Sequence, residues 1–134
     1  MLVRVDYGGW EHECCGDAAA LGDRVRWDVF LPMTGDVANG AELMESHHGG
    51  LANGVHLVGT VAHIAAVGST GTRHAVARIP SGRAVRGFDP DDDGRLDILE
   101  DGSRRRSRTN EFVVTLDVPD EAALPTLRAT SMPD

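Results

Sequence analysis

The residues of this chain best equipped for chemistry are two neighbouring cysteines and a set of histidines. Cys14 and Cys15, its only cysteines, stand in Trp10-Glu11-His12-Glu13-Cys14-Cys15-Gly16, and His47 and His48 stand together further along. Thiolate and imidazole are the usual ligands of zinc, which takes four of them in a tetrahedron. Cys14, Cys15, His47 and His48 would make such a set, with His12 as a further nitrogen donor. Equally open is a set of one cysteine and one histidine, completed by His12 or Glu13. On an extended backbone neighbouring side chains point to opposite faces, so both cysteines reach one ion only from a turn, which Gly16 would permit. The usual spacing of roughly two to four residues between zinc ligands is missing. Adjacent cysteines close on each other only through a strained ring, so the pair is expected to be reduced, shared with a second chain, or metal-bound. Two other readings compete: a cysteine as a small buried apolar residue, and a histidine-activated thiol nucleophile, for which no flanking signature is present.

A second candidate is acidic. Asp89-Pro90-Asp91-Asp92-Asp93-Gly94-Arg95-Leu96-Asp97-Ile98-Leu99-Glu100 places carboxylates at positions 1, 3, 5, 9 and 12 of a twelve-residue loop, glycine at 6 and an apolar residue at 8. That is the EF-hand calcium pattern. In it Asp89, Asp91, Asp93 and Asp97 would supply carboxylates, Arg95 its carbonyl, and Glu100 both oxygens. The flanks lack the helices of an EF-hand: Ser81 to Gly87 carries two glycines, and Gly102 follows closely behind Glu100. A loop so placed would bind calcium only at ~10⁻⁴–10⁻³ M. The preferred reading is an acidic surface turn whose carboxylates pair with Arg104, Arg105, Arg106 and Arg108, each exposed pair contributing ~0–1 kcal/mol.

The elements that must position these groups are short strands. Val3, Val5 and Tyr7 alternate with Arg4 and Asp6; Val25, Trp27, Val29 and Leu31 alternate between Arg24 and Leu31. Residues 54–64 form a longer β-branched run in which Gly59 suits a bulge or a sharp bend. Alternation returns over residues 73–79, and again over 111–118 with Phe112, Val114, Leu116 and Val118. One short helix is expected around Val37 to Ser46. Residues 81–87 and 89–110 are expected as exposed loops, and residues 119–134 as a loosely packed tail. Five strands joined by turn-rich connections predict an all-β domain over residues 1–118, a small five-stranded barrel of the oligonucleotide-binding or SH3-like kind. Only six residues are aromatic, so Trp10 and Trp27 are the expected anchors of a Val-, Leu-, Ile- and Ala-based core.

Composition narrows function further. The net charge of −8 argues against a dedicated duplex-DNA binder, because nonspecific affinity comes from neutralising phosphates. The arginine run at 104–108 would suit single-stranded nucleic acid, but stacking aromatics are scarce. Lysine is absent, which excludes Schiff-base and phosphate-loop lysine chemistry within the chain. No long apolar run or leader-like start is present, and the expectation is a cytoplasmic protein with reduced thiols.

The opening strand, Trp10, Glu13-Cys14-Cys15-Gly16 and Gly22-Asp23-Arg24-Val25-Arg26-Trp27 resemble a family of short uncharacterised proteins from high-GC bacteria, described only as a domain of unknown function. His47-His48-Gly49 and Gly59-Thr60-Val61 extend the pattern. The resemblance implies one compact domain and brings no family activity with it. The expectation is a non-enzymatic binding module with a protein or small-molecule partner, centred on residues 10–16 with His47 and His48, and stabilised by zinc. Calcium binding at 89–100, a thiol enzyme and a single-strand binder are the alternatives.

Overall fold

The computed structural model describes residues 1–8, 16–31, 43–45, 54–106 and 111–124. Strand β1 (Leu2–Gly8) follows from its alternation: Val3, Val5 and Tyr7 are buried, while Leu2 and Arg4 face solvent. It runs antiparallel to β10 (Glu111–Asp117) along its whole length, from Leu2 opposite Asp117 to Gly8 opposite Glu111. The other edge of β10 pairs with the long strand β5 (Val55–Val67). The first half of β5 pairs with β3 (Arg24–Phe30), which is antiparallel to β4 (Leu43–Glu45). Parallel pairing of β4 with β1, Val5 opposite Leu43, closes the ring.

The result is the expected small five-stranded barrel, in the order β1–β4–β3–β5–β10. Among the described residues the closing joints are short, two residue pairs each at β1–β4 and β3–β4. Counted from β5, the ring reads first, second, third, fifth, fourth, with one parallel joint between third and fifth. That is the neighbour order of an oligonucleotide-binding barrel, entered at a different strand.

Outside the ring, β6 (Arg73–Ala75) pairs with the end of β5, and β2 (Ala19–Ala20) pairs with β7 (Arg78–Ile79). Strands β8 (Arg95–Asp97) and β9 (Arg104–Arg106) form a hairpin. A bridge between Val76 and Ile98 fastens it, with Leu99 N–H donating to the Ala75 carbonyl at 2.9 Å and Ala77 N–H to the Asp97 carbonyl at 3.0 Å.

Several expectations are corrected. The helix expected at Val37–Ser46 is, over residues 43–45, the strand β4: Leu43 and Glu45 are both buried on either side of the less buried Met44, a period of two. The rest of that segment lies outside the described residues. The strand expected over residues 73–79 is broken, because Val76 and Ile79 are both fully buried though three apart. The chain leaves β5 after Ala75 and joins β2 at Arg78. The loop expected at 81–87 contains one helical turn, α1 (Gly82–Val85), capped by Ser81 Oγ, which accepts the Ala84 N–H at 3.1 Å. The loop expected at 89–110 contains the β8–β9 hairpin, whose Leu96 and Ile98 join the core.

Gly59 serves a role other than the bulge or sharp bend expected of it, close backbone approach: a Cβ there would lie 2.7 Å from Val118 Cγ1 and 2.9 Å from the Asp117 carbonyl. The bulge falls instead at Ala62, skipped where the register passes from His63–Thr115 to Val61–Leu116. The aromatic anchors of the core are Tyr7 and Phe112, the largest fully buried side chains. Trp27 packs against that core half-buried, and Trp10 lies outside the described residues. Beyond Pro119, Ala122 and Leu124 still pack against the core.

Candidate functional site

The end of β1 and the start of β5 enclose a cavity of about 280 Å³. Tyr7, the last inward residue of β1, stacks on Trp27 of β3 with ring centroids 4.5 Å apart and planes 16° from parallel. The Tyr7 hydroxyl donates to the Asp17 carbonyl at 2.9 Å. Asp28 and His56 face each other across the β3–β5 register, with the Asp28 carboxylate against His56 Nδ1. Glu45 ends β4 and, at 6% exposure, is the one charged side chain buried among the described residues. Arg26 completes the lining.

Burial, reinforced by the nearby carboxylates of Glu45 and Asp17, pushes the Tyr7 phenol well above its ordinary range. The hydroxyl therefore remains a neutral donor at physiological pH. Three carboxylates against one guanidinium and one imidazole give the cavity an acidic cast. Trp27, only partly buried behind its stack on Tyr7, offers an aromatic surface beside these carboxylates, a setting that suits a cationic group.

The zinc candidates His12, Cys14, Cys15, His47 and His48 lie outside the described residues. Residues flanking their segments converge on this cavity: Tyr7 and Asp17 bracket the first, and Glu45 and His56 bracket the second. Sequence reading missed the cavity's own residues apart from Trp27. The available signal was Asp28 and His56, the polar residues beside Trp27 and Leu57 in two alternating strands.

The acidic loop is described throughout. Asp89, Asp91 and Asp93 line a cavity of about 420 Å³ together with Asp92, Arg78 and Arg104. The aspartates fold the loop on itself by accepting N–H groups two residues ahead: Asp89 from Asp91, Asp92 from Gly94, and Asp93 from Arg95, at 2.9–3.0 Å. Gly94 has φ +74°, and a Cβ there would meet the Ala84 carbonyl oxygen at 2.4 Å, so the position requires glycine.

Arg78 is the clamp the sequence did not disclose. Its two terminal nitrogens donate one to each oxygen of Asp92, and the guanidinium also reaches the Arg95 carbonyl at 3.2 Å and 3.3 Å. That partner holds the Asp92 carboxyl below its ordinary range. Arg104 donates to Asp97 at 2.8 Å and Asp93 at 3.2 Å, and Arg105 to Asp101 at 2.6 Å. Glu100 turns away toward β6, accepting the Ala75 N–H at 3.4 Å. The expected calcium-loop residues are thus shared between one cavity, two arginines and β6, with Arg78 and Arg104 supplying positive charge. Among the described residues, no group of three or more His, Cys, Asp or Glu is arranged to hold a metal ion.

Among the described residues, no helix is long and apolar enough to cross a membrane. No curated protein and no solved structure matches the chain. A family model matches residues 1–118, which span every strand of the barrel and Val118 just beyond it. The chain belongs to a family of unknown function, DUF6578.

Proposed function

We propose that this domain is a non-enzymatic binding module whose ligand-reading surface is the acidic, aromatic mouth of the barrel. The reading rests on the Tyr7–Trp27 stack ringed by Asp17, Asp28 and Glu45. The ligand class is a small cation of the guanidinium or alkylammonium kind, which pairs with carboxylates and lies over aromatic faces. The polar groups at hand already have structural partners: Asp28 holds His56, and Tyr7 holds Asp17. Such an arrangement favours recognition over turnover.

The test is titration with methylguanidinium, followed by NMR at the Trp27 indole and at the amides of Asp28 and His56. Saturable shifts there, absent with acetate at equal ionic strength and weakened by Asp28→Asn, are expected. Equal shifts with acetate, or none at high millimolar methylguanidinium, would sink the reading.

Zinc at Cys14, Cys15, His47 and His48 is the stabilising element of the same proposal. Its support is covalent reach. In the sequence Cys15 is two residues from Asp17 and His47 two from Glu45, and Asp17 and Glu45 both line the cavity. Elemental analysis and native mass spectrometry of untagged protein, prepared without metal or chelator, should find one zinc per chain. Zinc-free folded protein removes this element and leaves the cation titration to judge the cavity.

A further inference from the structure

A third cavity, of about 280 Å³, lies between the β5–β6 hairpin and the β8–β9 hairpin. Its floor is apolar: Ala66 and Val67 at the end of β5, Leu96 of β8 and Ile98 just beyond it, all buried. Its rim carries the hydroxyls of Ser69 and Thr70 and the cationic or neutral nitrogens of His74, Arg105 and Arg106. Among the described residues no carboxylate lines it, although the chain has 21 acidic residues and a net charge of −8. Nearby acids do engage part of the rim. Arg105 donates to Asp101 and, at 3.0 Å, to Ser103 Oγ, and His74 Nδ1 lies 3.8 Å from Glu100. The Arg106 side chain, exposed at the end of β9, has no hydrogen bond or ion pair among the described residues.

We infer that this cleft binds a small organic anion, a carboxylate carried on a short apolar body. A guanidinium presents a planar fork that takes both oxygens of a carboxylate, and Arg106 offers one at the rim. The buried floor offers the apolar body a surface already withdrawn from water, and Ser69 and Thr70 offer further donors to the head group. The volume lies near the lower end of the ~300–1,000 Å³ typical of small-molecule sites, so the ligand is short. The site is independent of the barrel mouth, since β5 separates them: His56 stands at its start and Val67 at its end.

Hexanoate is the probe, titrated into the full chain and followed by amide NMR, with acetate, inorganic phosphate and hexylammonium as comparators at equal ionic strength. Hexanoate should shift the amides of residues 66–70, 96–98 and 105–106 saturably, and more tightly than any comparator. Arg106→Gln should weaken hexanoate about tenfold, the loss of one charged hydrogen-bonding partner. Arg24→Gln, an equal charge change at an exposed position of β3, should leave it unaltered. Because Arg106 is exposed, the variant should keep the parent's circular dichroism. The inference fails if hexanoate gives no saturable shifts at these amides or if acetate or phosphate binds as tightly. It fails equally if hexylammonium binds there comparably, or if Arg24→Gln weakens hexanoate as much as Arg106→Gln does.

Discussion

The two ends of β5 carry cavities of similar volume and opposite charge, built on different foundations. The acidic mouth at Tyr7, Trp27 and His56 is set into the closed ring, where each strand has a paired neighbour on either side. The basic cleft at Val67, Leu96 and Arg106 stands between two hairpins. One of these, β8–β9, is fastened by a bridge with its flanking backbone bonds, by buried Leu96 and Ile98, and by arginine–aspartate pairs. Backbone closure of the ring secures one site; at the other, arginine–aspartate pairs add to the burial of Leu96 and Ile98. The two should therefore answer differently to truncation, charge removal and acid.

The largest effect should come from the ring. Leu57, 1% exposed and paired with Trp27 across the β3–β5 register, fills the core behind the mouth. Leu57→Ala should cost ~2–5 kcal/mol of global stability, read from urea unfolding, because a buried cavity replaces the side chain. A loss below about 1 kcal/mol would mean that this end of the barrel is loosely packed, erasing the contrast.

Arg78→Gln should cost less, ~1–3 kcal/mol, by leaving Asp92 without its bidentate partner and the Arg95 carbonyl without its donor. The expected readout is local. Amides of residues 95–106 should exchange faster with solvent while those of β3 and the first half of β5 keep their protection. Uniform loss of protection would show that hairpin and ring unfold as one unit.

The smallest effect is one of pH, and its sign differs between the regions. Asp6, half-buried on β1, has its carboxyl pushed from 3.8 to about 6 by burial, with the neighbouring charge of Glu111 adding to the shift. The folded state then binds this proton more tightly than the unfolded chain, so stability falls as pH rises from about 4 to about 6 and is level above. Asp6→Asn should gain about 1 kcal/mol at pH 7, after allowance for solvent screening, and nothing below about pH 4. Asp92 runs the other way. Arg78 lowers its pKa, so its stabilisation is present above the ordinary carboxylate range and lost as pH falls through the folded value. Acid should relieve the Asp6 strand and loosen the hairpin; urea midpoints against pH, with hydrogen exchange at 95–106, check both signs.

Four of the ring's five strands were legible because alternation is a local signal: Val3, Val5 and Tyr7 announce β1 without reference to anything else. The fifth, β4, was not. Ala41-Glu42-Leu43-Met44-Glu45 is good helix material, and only its docking beside β1 and β3 makes Leu43–Glu45 extended. Tertiary pairing overrode propensity there. Residues 73–79 misled in the opposite sense, since their alternation is real yet they serve two sheets in turn and none of the ring's joints. The acidic loop showed its glycine and its spacing, but not Arg78. An ion pair between residues 78 and 92 depends on how β7 lies against the loop, which no periodicity encodes. The mouth residues come from four strands and the segment after residue 15, so their convergence appears only once the ring is closed.

The Met1 ammonium donates to the Val118 carbonyl at 2.8 Å and to Asp120 at 3.0 Å, so the chain re-enters its own starting point after one circuit. A loop joining Val118 to Met1 would be short. If the chain were reopened ahead of Gly54, it would pass through β5, β10, β1, β3 and β4 in turn with every barrel pair preserved. Such a circular permutant would alter the order of synthesis and leave the native contacts of the ring as they are. For a barrel of this kind the entry point is a property of chain linkage, separable from the packing that holds the strands together.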